Sequence, residues 1–195
     1  MRFTNTNTHW GLIARIFHWG ILAAIVVQIP LGFWMVDVYE AYAETYGDDT
    51  WVMRTSRLHH TLGFLVLIAV ALRFSWRQMN QAPEYPSALS RAQKILARTN
   101  HAFLYVLLII YPLSGWASLS AYEGEFPIFF FGLDAMPRVV PQAAADDFFN
   151  YEFFAVIHRW CWRIGAVLLG LHLAAALWHQ FILRDGTLRR MWSGK

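Results

Sequence analysis

Histidine is the chemically active residue type that recurs in the most apolar parts of this chain. Three of the eight histidines, His158, His172 and His179, fall in one long apolar stretch that must form a helix. His158 and His172 are 14 residues apart, just under four helical turns, so both side chains project from nearly the same face, about 21 Å apart along the axis. A histidine inside a membrane span is costly and normally faces the bundle interior. The pair therefore predicts a functional stripe with room for two stacked cofactors.

The composition places this stripe in a membrane. Of 195 residues, 57% are hydrophobic, 17% aromatic and only 15% charged, which lies well outside the balance of a soluble globular domain. Four nearly uncharged runs are each long enough to cross a hydrocarbon core of about 30 Å. We predict spans at about residues 15–36, 57–77, 100–121 and 157–183, with a long outward loop at residues 122–156. The fold is predicted to be all-α, an integral membrane four-helix bundle that forms a single domain over residues 1–195.

The charges between the spans predict the orientation. One side carries eleven basic residues against two acids, Glu84 and Asp185, whereas the other side carries eleven acids and five arginines. The basic set is Arg2, Arg15, Arg73, Arg77, Arg91, Lys94, Arg98, Arg184, Arg189, Arg190 and Lys195. The positive-inside rule then places both termini in the cytoplasm. The net charge of +3 thus reports topology, since the sequence lacks the basic stripe with exposed aromatics that nucleic-acid binding requires.

Sorted by depth along the predicted spans, the histidines form pairs. His18 begins the first span on the cytoplasmic side, whereas His59 and His60 begin the second span on the outer side. Depth therefore pairs His158 with His59 or His60 near the outer surface, and His172 with His18 near the inner surface. Four histidines that pair by depth across three helices are better explained as metal ligands than as isolated polar groups.

The metal centre that these pairs predict is b-type haem. Bis-imidazole ligation between facing helices is how a bundle holds a low-spin electron-transfer haem. Covalent c-type attachment needs a C-x-x-C-H motif, and Cys161 is the only cysteine, so covalent haem, iron–sulfur clusters and intrachain disulfides are excluded. A di-iron site would need carboxylates beside the histidines, and the acids lie in loops. We therefore predict two non-covalent b haems, one for each pair.

Further motifs carry a resemblance to a known family. The chain has HW in the first span, H-x-x-x-G in the second, H-x-x-x-Y with a later P-x-x-G-W in the third, and H-x13-H-x6-H before a D-x-T-L-x-R-M tail. This pattern resembles the bacterial cytochrome b561 family, whose members include superoxide oxidase. The matching positions are His18, His59, Gly63, Arg73, His101, Tyr105, Pro112, Gly115, Trp116, His158, His172, His179, Asp185, Thr187, Leu188, Arg190 and Met191. The resemblance covers nearly the whole chain and implies the haem ligands His18, His59, His158 and His172, in a bacterial inner (cytoplasmic) membrane.

The inner end of the chain has the residues that a quinone requires. His179 and His101, flanked by Arg98, Arg184 and Lys94, provide hydrogen-bond donors for the carbonyl oxygens and protons on reduction. The alternative is that these residues bind lipid headgroups or haem propionates. We predict that His179 and His101 bind a cofactor or substrate of the ubiquinone type.

The outer end has three basic residues amid the acids, Arg57, Arg159 and Arg163. They are predicted to pair with haem propionates or to steer a small anion to the haem edge. Together with the resemblance, they favour an oxidoreductase in which superoxide gives electrons to the outer haem and ubiquinone receives them at the inner haem.

Two features depart from the family pattern. His60, next to the matched ligand His59, is a second candidate for the outer site. The outward loop 122–156 looks longer than in the compact family members, which favours a competing function: an electron-relay and anchor subunit of a hydrogenase- or dehydrogenase-type complex, with a soluble redox partner docked at the loop. A donor of the ascorbate type is a third hypothesis.

Overall fold

The computed structural model describes residues 2–87 and 89–194. The described chain is helical: α1 is Leu12–Thr45, α2 is Thr50–Met79, α3 is Arg91–Ala121 and α4 is Tyr151–Trp178. A π-helical segment, His179–Leu183, continues α4, and the short helix α5 is Thr187–Trp192. Lys195, which was counted with the basic residues, lies outside the described part of the chain.

The four long helices are apolar enough to cross a membrane. Their mean hydropathy over the most apolar window is 2.0, 1.6, 1.8 and 1.7 in chain order, and the fourth span continues from Tyr151 to Leu183. Large apolar side chains on them are exposed, as at Val26 and Val167, which is the expected surface for contact with lipid tails. The prediction of an all-α protein with four membrane-length helices is confirmed, and within the described residues the only β pairing consists of isolated bridges.

Local capping explains why three of these helices begin before the hydrophobic runs from which we predicted them. Ser90 and Gln93 form a capping box at α3, with Ser90 N–H donating to Gln93 Oε1 at 2.8 Å and Gln93 N–H to Ser90 Oγ at 3.2 Å. Asp48 Oδ1 accepts the Thr50 N–H at α2, and Asn150 Oδ1 accepts the Phe153 N–H at α4. Polar caps thus extend the helices beyond their apolar segments.

The loop between α3 and α4, residues 122–150, is ordered by contacts with the end of α3. The Arg138 guanidinium donates to the carbonyl oxygens of Leu119, Ser120 and Tyr122, which are carbonyls that a helix end leaves unsatisfied. Trp116 Nε1–H also donates to the Pro137 carbonyl at 2.9 Å. We call this segment the long loop.

Each long helix contributes to two compact units. The first unit comprises Met1–Gly20, Ala69–Ile109 and Trp160–Lys195, and the second unit comprises Ile21–Ile68 and Ile110–Arg159. One candidate histidine pair falls in each unit, with His18 and His172 in the first, and His59 and His158 in the second.

Candidate haem sites

The second unit brings His59 of α2 and His158 of α4 together. Their ring centroids are 6.4 Å apart at an interplanar angle of 73°. His158 Nδ1 lies 2.9 Å from the Tyr111 carbonyl oxygen and 3.2 Å from Ser114 Oγ. Because a carbonyl only accepts, Nδ1 of His158 carries the hydrogen, which leaves Nε2 with a free lone pair for a metal.

Gln28 of α1 is a further contact of this pair. Its amide nitrogen donates to the His59 carbonyl at 2.9 Å and lies 3.1 Å from His59 Nδ1. Its Oε1 is buried and has no partner among the described residues. Gln28 therefore holds the His59 side chain against α1, and we did not predict it. The available signal was an amide in the middle of an apolar span, where a polar group is costly.

Two glycines allow these rings to approach neighbouring helices closely. A Cβ built at Gly115 would lie 2.9 Å from His158 Cε1, and one at Gly32 would lie 3.1 Å from His59 Cε1. Real side chains do not tolerate the first distance without a shift of the ring. Gly115 was among the positions matched by resemblance, whereas the role of Gly32 was not predicted.

His60 is directed toward the long loop. Its ring stacks on Phe129 at 5.8 Å and lies 6.4 Å from Phe126. Its Nδ1 accepts the Phe129 N–H at 3.4 Å. Of the two adjacent histidines, His59 is therefore the one whose ring meets His158.

The first unit collects three histidines. The His172 ring is 6.1 Å from His18 and 5.1 Å from His101. His101 Nδ1 donates to the Ala97 carbonyl at 2.6 Å, and Arg73 Nη2 lies 3.1 Å from His18 Nδ1. The structure thus places His101 beside the predicted pair of His18 and His172.

The ring-centre distances of the two predicted pairs would leave room for one metal between the two imidazoles. With metal–nitrogen bonds of about 2 Å and about 1 Å from each nitrogen to its ring centre, opposed imidazoles have centres about 6 Å apart. The pairs at 6.1 and 6.4 Å meet this spacing, and the 5.1 Å separation of His101 and His172 is too short. Within the described residues no group of three or more His, Cys, Asp or Glu is arranged to hold a metal. Two imidazoles at this separation are a donor set that a b-type haem would fit.

His179 is not part of either pair. Its Nδ1 lies 2.5 Å from Asp185 Oδ2, and the side chains are 19% and 10% exposed, respectively. Asp185 Oδ1 accepts the Thr187 N–H at 2.9 Å. Burial by itself raises the pKa of the Asp185 carboxyl, but the hydrogen bonds from Thr187 and His179 outweigh it and bring the pKa below the ordinary value.

The three arginines predicted at the outer end are each engaged. Arg57 pairs with Asp134 at 3.0 Å and lies over the Phe129 ring at 4.7 Å. Arg159 pairs with Glu152 about two turns away on α4. In the first unit, Arg163 lies over the Trp160 ring at 5.0 Å. The side chains of Arg57 and Arg159 remain 45% and 50% exposed, so their ion pairs are open to solvent.

Half-buried histidine pairs on membrane-length helices are typical of one class, the helical membrane proteins that hold a redox cofactor between helices. The family model described as prokaryotic cytochrome b561 matches residues 9–194, and the chain belongs to this family. The resemblance seen in the sequence motifs is thereby confirmed. As a family member the chain is a multi-pass membrane protein of electron transfer, and the family implies binding of b-type haem.

Three relatives support the assignment. The chain is 34% identical over 194 residues to cytochrome b561 homolog 2 of Escherichia coli, covering 98% of this chain and 95% of the relative. It is 31% identical over 136 residues to cytochrome b561 homolog 1 of the same organism, covering 68% and 72%. It is 27% identical over 134 residues to the probable superoxide oxidase CybB of Yersinia pestis, covering 69% and 72%.

Proposed function

We propose that this chain binds two b haems and transfers electrons from superoxide outside the bacterial inner membrane to ubiquinone near the cytoplasmic side. The observation that carries the proposal is one close histidine pair in each unit, His59 with His158 and His18 with His172. A bis-histidine haem, when bound, supplies one-electron redox chemistry at a saturated iron. The single di-haem domain and the cytoplasmic placement of both termini belong to the same proposal.

The chain's own residues bind and orient the cofactors. His158 presents Nε2 because the Tyr111 carbonyl accepts from its Nδ1. Gln28 holds His59 from the neighbouring helix, and Gly115 leaves room for the His158 ring. These contacts all lie within the second unit, and they orient His59 and His158 without any bound ligand.

We place the ubiquinone site at His179 and His101, with Arg98, Arg184 and Lys94 as flanking charges. His179 has a carboxylate partner at one ring nitrogen, so the other nitrogen is available to a quinone carbonyl oxygen. The proposal predicts that His179→Ala keeps both haem spectra and slows electron exit to quinone.

Superoxide is the proposed donor because a relative of this chain is named a probable superoxide oxidase and because Arg57, Arg159 and Arg163 stand among acids. Exposed ion pairs contribute little energy, so Arg57 and Arg159 are able to exchange their carboxylate partners for a small anion. The balanced reaction oxidises two superoxide anions to two dioxygen molecules, while one quinone takes up the two electrons and two protons to become quinol.

The test is reduction of the purified protein, free of partners, by superoxide. We expect fast haem reduction, formation of quinol, and a rate that falls with ionic strength because salt screens the arginines. Arg159→Ala or Arg163→Ala should slow reduction with unchanged haem spectra. The matched control is Arg54→Ala, at an α2 arginine that lies over the Trp51 ring, and it should leave the rate unchanged. Failure of superoxide to reduce the wild-type protein would contradict the proposal. If the arginine variants are reduced more slowly by every electron donor, and not only by superoxide, the arginines bind haem propionates instead.

The long loop favours a second candidate function, the relay and anchor subunit of a larger complex. It exposes apolar side chains at two places, Phe131 with Leu133, and Phe148 with Phe149. Such patches are typical of contact with a partner or with the membrane surface. Electron delivery from a co-purifying soluble subunit, without any reaction with superoxide, would favour this function, and reduction by ascorbate alone would favour the third hypothesis.

A further inference from the structure

The chain reverses direction directly after the last membrane helix. The π-helical segment His179–Leu183 widens the end of α4, and Arg184 and Gly186 adopt left-handed conformations at φ 51° and 76°. Asp185 lies between these two residues and is turned back toward His179. π-Helical turns are rare in proteins, and those that occur are often found at functional sites. This end of α4 is therefore a candidate functional site.

The tail that follows is anchored to the start of α1. Trp19 Nε1–H donates to the Met191 carbonyl at 3.0 Å, and the rings of Trp19 and Trp192 meet at 4.9 Å. The Arg15 guanidinium donates to the Trp192 carbonyl. These contacts hold α5 in place, and with it the turn that carries Asp185.

The two carboxylate oxygens of Asp185 contact different groups. Oδ1 accepts the Thr187 N–H at 2.9 Å, which forms an Asx turn ahead of α5. Oδ2 is 2.5 Å from His179 Nδ1. A carboxylate only accepts, so His179 carries a hydrogen on Nδ1, and Nε2 becomes the ring nitrogen that exchanges protons. An Asx turn alone would not require the second contact.

We infer that Asp185 is a positioning residue that makes His179 Nε2 the proton donor to the bound quinone. The inference rests on the proposed quinone reduction and deepens it. Proton delivery from a fixed nitrogen depends on the tautomer and on the ring orientation, and both are set by the carboxylate.

The proton step balances as follows. Superoxide supplies one electron for each proton taken up, and two of each convert the quinone to quinol. The Nε2–H bond of the His179 imidazolium breaks as an O–H bond forms on the quinone oxygen that faces it, and water supplies the second proton to the other oxygen. His179 is left as the neutral Nδ1–H tautomer, Asp185 stays ionised throughout, and water returns the proton to Nε2.

The test compares Asp185→Asn with Asp185→Glu in the haem-loaded protein, with Glu84→Gln as the matched control. Asn keeps the size of Asp and loses its charge. For Asp185→Asn we expect kcat for quinol formation to fall about 10- to 100-fold, the usual effect of removing a partner that orients a functional histidine. The quinone KM should change less than about threefold, and the solvent deuterium isotope effect on kcat should rise because proton transfer becomes slower. Glu should restore part of kcat, and Glu84→Gln should resemble wild type.

Two further measurements separate this role from a structural one. Nitrogen-15 shifts of the His179 ring should show the Nδ1–H tautomer in wild type and a tautomer mixture in Asp185→Asn. In the His179→Ala background, Asp185→Asn should produce no additional loss of kcat, since both residues act in one step.

The outcomes are distinct. A wild-type kcat, a loss confined to KM, or an unchanged tautomer in Asp185→Asn overturns this inference alone. If Asp185→Asn does not fold, the inference is tested with Asp185→Glu and the tautomer of His179. An Asp185→Glu variant that lacks the Nδ1–H tautomer and still shows wild-type kcat overturns the inference. If the wild-type protein makes no quinol, the proposed function fails and the inference fails with it.

Discussion

At the residue scale, adjacent histidines on α2 have different neighbours. His59 meets His158 and is held by Gln28, whereas His60 packs on Phe129 of the long loop. Neighbouring residues on a helix are separated by about 100° around its axis, so only one of them faces a given partner helix. This angular separation gives a sharp test of the ligand assignment.

We predict that His59→Ala lowers the haem content from about two to about one per chain, because one of the two imidazoles that would hold the outer haem is removed. His60→Ala should retain both haems and loosen only the long loop. The pyridine haemochrome assay on purified variants measures the ratio. The assignment is wrong if His60→Ala loses a haem and His59→Ala keeps both.

A second residue-scale prediction concerns the space beside His158. Gly115→Ala would place a methyl group 2.9 Å from His158 Cε1, an overpacking that typically costs about 1–3 kcal/mol. We expect weaker retention of one haem and a lower melting temperature. Gly170→Ala on α4 is the control, since a Cβ there meets nothing within 4 Å. Equal effects of the two substitutions on haem titration and thermal melting would contradict the close contact.

At the element scale, the C-terminal tail is held by a carboxylate with a perturbed pKa. Asp185 Oδ1 accepts the Thr187 N–H, and Oδ2 binds His179. After the opposing effect of burial, these bonds still lower the pKa of Asp185. The ionised carboxylate is therefore bound more favourably in the folded tail than in an unfolded one.

The expected pH dependence has a definite sign. Because the folded pKa is lowered, the stabilisation is fully present above the ordinary Asp pKa of about 3.9 and is lost as the pH falls through the folded pKa. Hydrogen exchange of the Thr187 amide in detergent should thus show protection that declines in acid below about pH 4. Asp185→Asn should remove this dependence. Constant protection down to the folded pKa and below would refute the linkage.

At the scale of the whole molecule, the distribution of charge predicts the topology. One set of connections carries eleven basic residues and two acids, and the other set carries eleven acids. Basic residues beside short connections are retained on the cytoplasmic side. The proposed direction of electron flow, from an outside donor to a quinone near the cytoplasm, depends on this orientation.

We expect an alkaline phosphatase fusion to be active when joined within the long loop and inactive when joined after Arg190. A fluorescent protein that folds only in the cytoplasm should show the opposite pattern. The two reporters at the same two positions control for expression. An active phosphatase at the C-terminal fusion would reverse the topology and, with it, the proposed sides of donor and acceptor.

The amino-acid sequence alone determined the class and the family of this protein. Four long apolar runs specify membrane-length helices, because hydropathy and length are local properties of the chain. The histidine spacing on α4 and the tail motif were sufficient for the resemblance that the family match confirmed. Two of the predicted groupings, His59 with His158 and His18 with His172, are neighbours in the structure, while their role as haem ligands stays a prediction.

Only the tertiary structure decided which groups surround those histidines. The approach of Gln28 to His59, the contact of Gly115 with His158, and the turn that brings Asp185 to His179 depend on side-chain directions and on helices packed against one another. The ion pairs of Arg57 and Arg159 likewise follow from the particular neighbours that the fold supplies. A sequence pattern states the depth and face of a residue along its own helix, whereas its partners on other helices are set by packing, which is not a local property of the chain.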